Sequence, residues 1–274
     1  MRVGGVGIRR VGLVGSGRMG RAIGRHLLEA GWPLVVTDVD PGACAPLVER
    51  GATSAESARR VAAAADLVLV VVVDDEQVRA AVAGPEGALA GARPGAVIAI
   101  CASVRPDTCR ELAAQAAPHD VHVIDVALVR GERGAEAGEL LLLCGGPAQV
   151  VDACREAFAP FATDVVRVGD VGAGQVAKSV NNILLWACIR ADVEALRLGR
   201  ALGVDPRVLR EAVALGSGAN RPLAEWGQHR LRWPDKDLEV ALALAEDAGV
   251  DVPFVRALQP LMEGLTVEDL HDLL

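Results

Sequence analysis

The first 168 residues alternate short apolar runs with segments of helical periodicity. The runs are rich in Val, Ile and Leu and carry almost no polar positions. Strands of this kind are buried on both faces, which is typical of a parallel sheet covered by helices on either side. The predicted strands are Val11–Val14, Leu34–Thr37, Leu67–Val73, Val97–Ile100, His122–Val126, Leu140–Leu143 and Val165–Val168.

Predicted helices fill the intervals, because apolar residues there recur every three or four positions. They are Met19–Ala30, Ala43–Arg50, Ser54–Ala64, Gln77–Val82, Asp107–Ala117 and Pro147–Phe158.

The pattern changes near Gly169, after which no strand is predicted. Asp170 is a candidate N-cap for a long helix that runs to about Leu202. Further helices are predicted at Pro206–Ala214, Asp237–Ala248 and Val252–Met262. The chain therefore predicts an α/β Rossmann domain with a doubly wound, mostly parallel sheet over residues 1–168, and an all-helical domain over residues 169–274.

Composition narrows the classes of function. The chain has 274 residues, 51% of them hydrophobic, and a net charge of −8, which disfavours general nucleic-acid binding. Its longest apolar runs have the length of a strand, so no membrane span is predicted. The six cysteines are scattered without metal-ligand spacing, which indicates a reducing cytoplasm and no structural metal. The chain has no tyrosine, so a tyrosine acid cannot operate.

A glycine-rich loop follows the first predicted strand directly. The stretch "VGLVGSGRMG" places Gly15, Gly17 and Gly20 in the spacing GxGxxG, with a helix opening behind it. Such glycines allow a tight turn, a close approach of a pyrophosphate and packing of helix on strand. The second strand ends in Asp38, an acid suited to hydrogen-bonding a ribose and to repelling a 2′-phosphate.

This arrangement predicts dinucleotide binding with NAD favoured over NADP. The alternative is an ordinary glycine turn in a βα unit. Arg18 and Arg21 keep NADP open, because either could face a phosphate or simply be solvated.

A second polar feature lies on the long helix. Lys178 and Asn182 are four residues apart in "GQVAKSVNNILLWA" and so share one helix face. Burying both on an otherwise apolar helix is costly unless they are used. A surface lysine beside a locally packed Asn explains the residues alone equally well.

Five ordered motifs resemble the β-hydroxyacid dehydrogenase family, the group of 3-hydroxyisobutyrate and tartronate semialdehyde dehydrogenases related to 6-phosphogluconate dehydrogenase. They extend from Val11 to about Pro253. The glycine loop matches the family's GxGxMG, and "GAGQVAKSVNN" matches its GxGxxxKxxNN. The other three similar segments are "ICASVRPDTCRELA", "DVALVRGERGAEAGEL" and "DKDLEVAL".

The resemblance implies roles for individual residues. Lys178 would be the general acid/base, Asn182 would orient the substrate, and Lys236 would close over the nicotinamide side. The implied cofactor contacts are Gly15, Ser16, Gly17, Arg18, Met19, Gly20, Asp38, Val72, Val73, Ser103 and Lys236. The implied cofactor is NAD, with NADP not excluded.

The chain departs from the family where relatives hold the substrate carboxylate. The Ser-Gly-Gly cradle of the family aligns with Val129, Arg130 and Gly131. Arg130 is predicted to replace the lost hydroxyl by clamping an anion through two N–H groups. The alternative is a surface arginine paired with Glu132 or Glu136.

The sequence therefore predicts a cytoplasmic, NAD-linked oxidoreductase acting on a small anionic hydroxy compound. A homodimer or homotetramer is expected, because relatives associate through the helical part. One rival is an imine reductase, although those enzymes generally carry Asp or Tyr where Lys178 stands. The other rival is a non-catalytic, NAD-binding regulatory protein, which the altered cradle keeps open.

Overall fold

The fold is taken from a computed structural model that describes residues 7–274. Residues 1–6, the start of the predicted first domain, lie outside the described residues. The strands are β1 Val11–Val14, β2 Leu34–Thr37, β3 Thr53–Ser54, β4 Leu67–Val70, β5 Val97–Ile100, β6 His122–Val129, β7 Leu140–Gly145 and β8 Ala162–Gly169. The helices are α1 Arg18–Glu29, α2 Ala45–Val48, α3 Ala58–Ala64, α4 Asp75–Ala83, α5 Pro106–Ala116, α6 Gly131–Ala137, α7 Ala148–Phe158, α8 Ala173–Ala201, α9 Pro206–Val213, α10 Arg221–Ala224, α11 Pro234–Asp247, α12 Pro253–Met262 and α13 Val267–His271.

The eight strands form one sheet in the order β3-β2-β1-β4-β5-β6-β7-β8. All neighbours pair in parallel except β6 and β7, which are antiparallel. Successive strand residues enter two different cores, since Leu67 and Leu69 pack on one side and Val68 and Val70 on the other. This alternation confirms the prediction of a mostly parallel, doubly wound sheet buried on both faces.

Several predicted boundaries in this region are wrong, and three of them have a clear local cause. The strand predicted to reach Val73 ends at Val70, where the chain turns towards the Asp74 cap of α4. The helix predicted from Ser54 begins at Ala58, because the Ser57 hydroxyl accepts the Arg60 N–H and starts it there. The strand after α5 continues past Val126 to Val129, since its last residues pair with β7.

The long helix is present, but its predicted cap is wrong. The Asp170 carboxylate lies in solvent beside Arg167, at 3.1 Å from Nη2. The N–H groups at the start of α8 are instead satisfied by Asp125 of β6, which accepts from Gly172 at 2.6 Å and from Gln175 at 3.0 Å. A carboxylate from the sheet therefore caps this helix.

The second half of the chain is helical and has a core of its own. Its centre is formed by Trp186, Val193, Leu238, Leu258 and Met262. The chain divides into two compact units after Lys178, the second being Ser179–Leu274. The division falls inside α8 and not at residue 169, because the first turn of α8 is hydrogen-bonded to the sheet. Between residues 7 and 274, no helix combines the length and the apolar character needed to cross a bilayer.

Candidate active site

The carboxyl ends of the parallel strands form the candidate site of the first unit. The strand order reverses at β1, whose neighbours β2 and β4 lie on either side of it. In open parallel sheets, ligands bind in the crevice at such a switch point. The loops that leave β1, β2, β4 and β5 at this edge, together with the first turn of α1, carry every residue predicted for the cofactor except Lys236.

The glycine loop has the shape that a dinucleotide needs. Gly15 has φ +99°, and a Cβ there would lie 2.3 Å from the Val71 carbonyl oxygen. A Cβ on Gly20 would lie 2.0 Å from the Gly15 carbonyl oxygen, so both positions require glycine. A Cβ on Gly17, in contrast, would meet none of the described atoms within 4 Å. The loop is therefore closed towards the protein and open on the outside.

The open side coincides with the N-terminus of α1. Gly17 is the N-cap residue, and no side chain of the described residues caps it. The first N–H groups of α1 therefore stay available to an anion, and the helix dipole favours a negative charge there. A pyrophosphate fits this cradle, with Gly15, Ser16, Gly17, Arg18, Met19 and Gly20 as the residues that would hold it.

Asp38 is fixed at the end of β2 by two backbone groups. Its Oδ2 accepts the Ser16 N–H at 2.6 Å, and its Oδ1 accepts the Asp40 N–H at 2.9 Å. Each carboxylate oxygen can accept a second hydrogen bond, and the residue is partly exposed. Asp38 can therefore bind ribose hydroxyls while it holds the glycine loop against β2.

The arginines beside the loop have different surroundings. Arg18 extends to α6, where its Nε lies 2.8 Å from Glu132, and Arg21 is exposed. Met19 packs against the core of the first unit. The positions predicted after β4 and β5 also line this edge: Val72 is half-buried, and Val73 and Ser103 are exposed.

Lys178 lies near the end of β6. Its half-buried side chain donates from Nζ to the Leu128 carbonyl oxygen at 2.5 Å. The chain has 28 cationic Lys and Arg residues, and only Lys178 and Lys236 among them are lysines. Both lysines occupy family motif positions, whereas ordinary surface cations are arginine throughout. The scarcity of lysine in the chain therefore marks these two positions independently of the motifs.

Asn182 and Lys236 belong to the second unit. Asn182 is 7% exposed, and its Oδ1 accepts from the Asn181 amide at 3.2 Å. Lys236 is half-buried in the first turn of α11. The residue after it, Asp237, accepts the Trp186 indole N–H at 3.0 Å, which fixes this turn on α8.

Arg130 faces β8 in this structure. Its guanidinium donates to the Glu139 carbonyl at 2.8 Å, to the Thr163 hydroxyl at 2.6 Å and to Asp164 at 2.7 Å. Its Nε is buried and has no hydrogen-bond partner among the described residues.

The alternative pairing of Arg130 with Glu132 or Glu136 is wrong. Glu132 pairs with Arg18, and Glu136 pairs with Arg25 of α1 at 3.2 Å. The backbone of Arg130 has φ +79°, in the left-handed region that favours glycine. Val129, before it, ends β6, and Gly131, after it, opens α6.

Asp125 and Gln175 are the residues that sequence reasoning missed at this site. Asp125 is completely buried, and burial raises the pKa of its carboxyl while backbone N–H groups, that of Gly172 first, lower it. The signal available in the sequence was a single acid inside an apolar strand. Such an acid is costly to bury unless a local group satisfies it, and here that group is the start of α8.

Two cysteines of the first unit, Cys144 in β7 and Cys154 in α7, are completely buried. Burial raises the pKa of the Cys144 and Cys154 thiols to about 12 each, which keeps them protonated and unreactive. Within residues 7–274, no group of His, Cys, Asp and Glu is arranged to hold a metal ion.

Comparison with known proteins agrees with this geometry. Residues 10–169 match the family described as the NAD binding domain of 6-phosphogluconate dehydrogenase. Residues 172–273 match the family described as the NAD-binding of NADP-dependent 3-hydroxyisobutyrate dehydrogenase. The 3-hydroxyisobutyrate dehydrogenase of Pseudomonas aeruginosa is 33% identical over 260 residues, which cover 89% of this chain and 87% of that protein.

Two solved structures share the fold. The 3-hydroxyisobutyrate dehydrogenase of Mycobacterium tuberculosis with L-serine has a TM-score of 0.85 at 24% identity, over 93% of this chain and 92% of that chain. The imine reductase of Streptomyces aurantiacus has a TM-score of 0.66 at 21% identity, over 96% and 99%. At these identities the likeness concerns the fold alone. The sequence matches carry the assignment: the chain belongs to the β-hydroxyacid dehydrogenase family and is an NAD(P)-dependent oxidoreductase acting on CH–OH donors.

Proposed function

We propose that the chain is an NAD-preferring dehydrogenase of small hydroxy acids in which Lys178 is the general acid/base. The observation that carries the proposal is the placement of Lys178. It is one of only two lysines in the chain, and its Nζ is held at the Leu128 carbonyl, beside the loops that suit the cofactor. The cytoplasmic location and a homodimer or homotetramer remain predictions.

The residues of the chain bind and orient the substrate and transfer one proton. A bound NAD, which the glycine loop and Asp38 would hold, would supply the acceptor for the hydride of the substrate carbon. Lys178 in its neutral form takes the hydroxyl proton as the carbonyl forms, and it returns a proton in the reverse direction. The Leu128 carbonyl orients the amine. Asn182 and Lys236 keep their predicted roles in binding substrate and cofactor.

Preference for NAD is supported by Asp38, a carboxylate held where the ribose hydroxyls are expected. A 2′-phosphate there would be repelled by like charge. Arg18, the nearest candidate for binding a 2′-phosphate, is paired with Glu132.

A substrate of the carboxylate class is supported by the names of relatives. A panel of 3-hydroxyisobutyrate, L-serine and related 2- and 3-hydroxy acids is the natural starting point. The measurement decides which of these acids the chain oxidises. Val129 and Arg130 replace the first two residues of the family's Ser-Gly-Gly cradle, and only Gly131 is kept.

The test is turnover by Lys178 variants. Lys178→Ala should lower kcat by about 10²–10⁴-fold, the range of a lost general acid/base, while NADH still binds. Lys178→Arg should be about equally slow, because arginine keeps the charge but does not release its proton near neutral pH. Wild-type turnover by either variant, on whichever panel member the native enzyme oxidises, would refute the assignment.

The imine reductase alternative keeps the shared fold and makes a different prediction. It requires NADPH-dependent reduction of a cyclic imine and inactivity towards every hydroxy acid of the panel. A non-catalytic NAD-binding protein predicts cofactor binding without turnover of either substrate class. The same panel therefore separates all three functions.

A further inference from the structure

The start of α8 is tied to the sheet by a buried carboxylate. Asp125 lies in β6 with no exposed surface, and its two oxygens accept the N–H groups of Gly172 and Gln175. A Cβ on Gly145 would lie 2.3 Å from Oδ1, and one on Gly174 would lie 2.6 Å from Oδ2. The surroundings of this carboxylate are therefore closely fitted.

A helix of this length does not need such a cap. Asp170 stands just before α8, where a residue of the chain itself usually supplies the capping oxygen, yet its side chain turns away to Arg167. The capping group comes from a strand 47 residues earlier. Burying a carboxylate is costly, so a cap taken from the sheet indicates a requirement beyond helix stability. It fixes the helix relative to β6.

Gln175 ties the same turn to a second loop of the site. Its side chain is 4% exposed, donates to the Ala102 carbonyl at 2.9 Å and accepts the Val104 N–H at 3.2 Å. These two backbone groups flank Ser103, a residue predicted to contact the cofactor. The first turn of α8 is thus bonded both to β6 and to the loop after β5.

Lys178 follows Gln175 by three residues and therefore lies about one turn further along the same helix. Its Nζ donates to Leu128, which follows Asp125 by three residues on β6. One strand thus holds the backbone at the start of the helix and the amine at the end of the lysine side chain. Any shift of α8 against β6 would break both attachments.

We propose that Asp125 and Gln175 are positioning residues for Lys178, holding the first turn of α8 so that the amine stays at the end of β6 beside the Ser103 loop. The inference rests on the proposed role of Lys178. Neither residue contacts the reacting atoms, and each acts through the helix that carries the lysine.

Two nearly isosteric variants remove these attachments separately. The side-chain amide of Asp125→Asn has only one oxygen that can accept a hydrogen bond. Its N–H₂ group must therefore face a backbone N–H at the start of α8. In Gln175→Met, the length of the side chain is kept and both bonds to the Ser103 loop are lost. Each variant should lower kcat by about 10–100-fold, since displacement of a catalytic group has effects of this size. In Asp125→Asn, the KM for NAD should change by less than about threefold, because the glycine loop and the side-chain bonds of Gln175 to the Ser103 loop are left in place.

The control is Asp66→Asn. Asp66 also accepts two backbone N–H groups, those of Arg9 and Arg10, but at the opposite, amino-terminal edge of the sheet. This variant changes a carboxylate that accepts backbone N–H groups in the same unit and should keep kcat.

A spectroscopic measurement tests the position of the amine directly. Reductive ¹³C-methylation labels only Lys178, Lys236 and the chain's amino terminus, because the chain has two lysines. Lys236→Arg assigns the signals. In Asp125→Asn and Gln175→Met, the titration midpoint of the Lys178 signal should move by about half a pH unit or more, since its surroundings change. The Lys236 signal should not move, and Asp66→Asn should move neither.

The outcomes separate this inference from the proposed function. An unmoved Lys178 signal in both variants overturns the positioning role, even if kcat falls. A moved signal with unchanged kcat also overturns it. If Lys178→Ala retains full turnover, the proposed function fails on its own account, whatever the two positioning variants do. Should Asp125→Asn not fold, Gln175→Met still tests both the fall in kcat and the shift of the Lys178 signal.

Discussion

At the scale of single residues, Asp38 has two tasks that can be separated. It holds the glycine loop through the Ser16 N–H, and we propose that it presents its charge to the ribose of the cofactor. We expect Asp38→Asn to keep much of the first task and to lose the charge. The ratio of kcat/KM for NAD over NADP should fall by about 10-fold or more, because hydrogen bonds to charged groups contribute about 1.5–3 kcal/mol.

Steady-state kinetics with both cofactors measure this ratio. Asp40→Asn is the matched control, since the Asp40 carboxylate accepts only the nearby Gly42 N–H among the described groups. An unchanged ratio in Asp38→Asn would show that another group sets the cofactor preference.

Asp192 predicts a pH-dependent stability of the second unit. Its Oδ1 accepts from Asn220 at 3.0 Å, whereas its Oδ2 is buried without a hydrogen-bond partner among the described residues. Burial raises the pKa of this carboxyl, and the Asn220 bond and the charge of His229 oppose the rise. Between about pH 4 and the raised pKa of Asp192, the folded state therefore binds more protons than the unfolded state. The stability of the fold falls as the pH rises through this range.

We expect Asp192→Asn to remove this decrease of stability with rising pH. The difference in free energy of unfolding between variant and wild type should grow in favour of the variant as the pH rises from 4 to neutral, because only the wild type must ionise a buried carboxyl. Urea titrations at several pH values measure it. Ala191→Ser, an exposed change on the same helix that involves no titrating group, should give a difference that does not vary with pH. A flat difference for Asp192→Asn would contradict a carboxyl whose pKa is raised by burial.

At the scale of elements, Arg130 joins the β6–α6 turn to β8. Its bonds to Thr163 and Asp164 support a structural anchor over the predicted anion clamp. We expect Arg130→Ala to lower stability by about 1 kcal/mol, since the pair is partly exposed. Its KM for the hydroxy acid should stay within about threefold of wild type. Arg130→Gly should be more stable than Arg130→Ala, because the left-handed backbone favours glycine by about 1–2 kcal/mol.

Melting temperatures and KM values of Arg130→Ala and Asp164→Asn decide between anchor and clamp. The anchor predicts similar losses of stability in both variants. A clamp predicts that Arg130→Ala raises the KM for the hydroxy acid and that Asp164→Asn does not. The KM for the neutral amide of the same compound should then rise far less in Arg130→Ala.

The sequence predicted elements well where the cause of their formation is local. The start of β1, the extent of β5 and the glycine loop all follow from apolar runs, turn glycines and a helix start that stand next to each other in the chain. The cap of α8 does not, because Asp125 and Gly172 are 47 residues apart and nothing in either stretch specifies the pairing. The same reason explains why Asp164 was missed as the partner of Arg130.

Helix α6 was missed for a different physical reason. Its sequence "GERGAEA" has two glycines in seven residues, which disfavours a helix on propensity alone. Packing against α1 overrides that preference. The His26 ring bonds the Ala135 carbonyl at 3.1 Å, and Arg25 bonds the Glu136 carbonyl at 2.8 Å. A neighbouring element therefore stabilises a helix that the local sequence does not favour.

At the scale of the whole molecule, the surface of α8 supports the expected association. Val180, Leu184, Leu198 and Leu202 are each more than half exposed. Val180 and Leu198 are separated by about five whole turns, so the two pairs lie on one helix face over roughly 33 Å. An apolar face of this length is unusual on a monomeric protein and typical of a surface that another chain covers. A second copy of this chain is the expected partner.

The last prediction concerns that face. We expect the wild-type protein to elute as a dimer or tetramer and Leu184→Glu with Leu198→Glu to elute as a monomer, because two buried carboxylates in an apolar contact are strongly unfavourable. Light scattering coupled to gel filtration measures the mass. The control is Ala114→Glu, which adds one carboxylate at an exposed position of α5, away from the apolar face of α8. Since Val180 and Leu184 lie within two turns of Lys178 on the same helix, we also expect the monomeric variant to lose turnover together with association. A monomeric wild type would show that this face is solvated, and a double variant that still associates would show that another surface forms the contact.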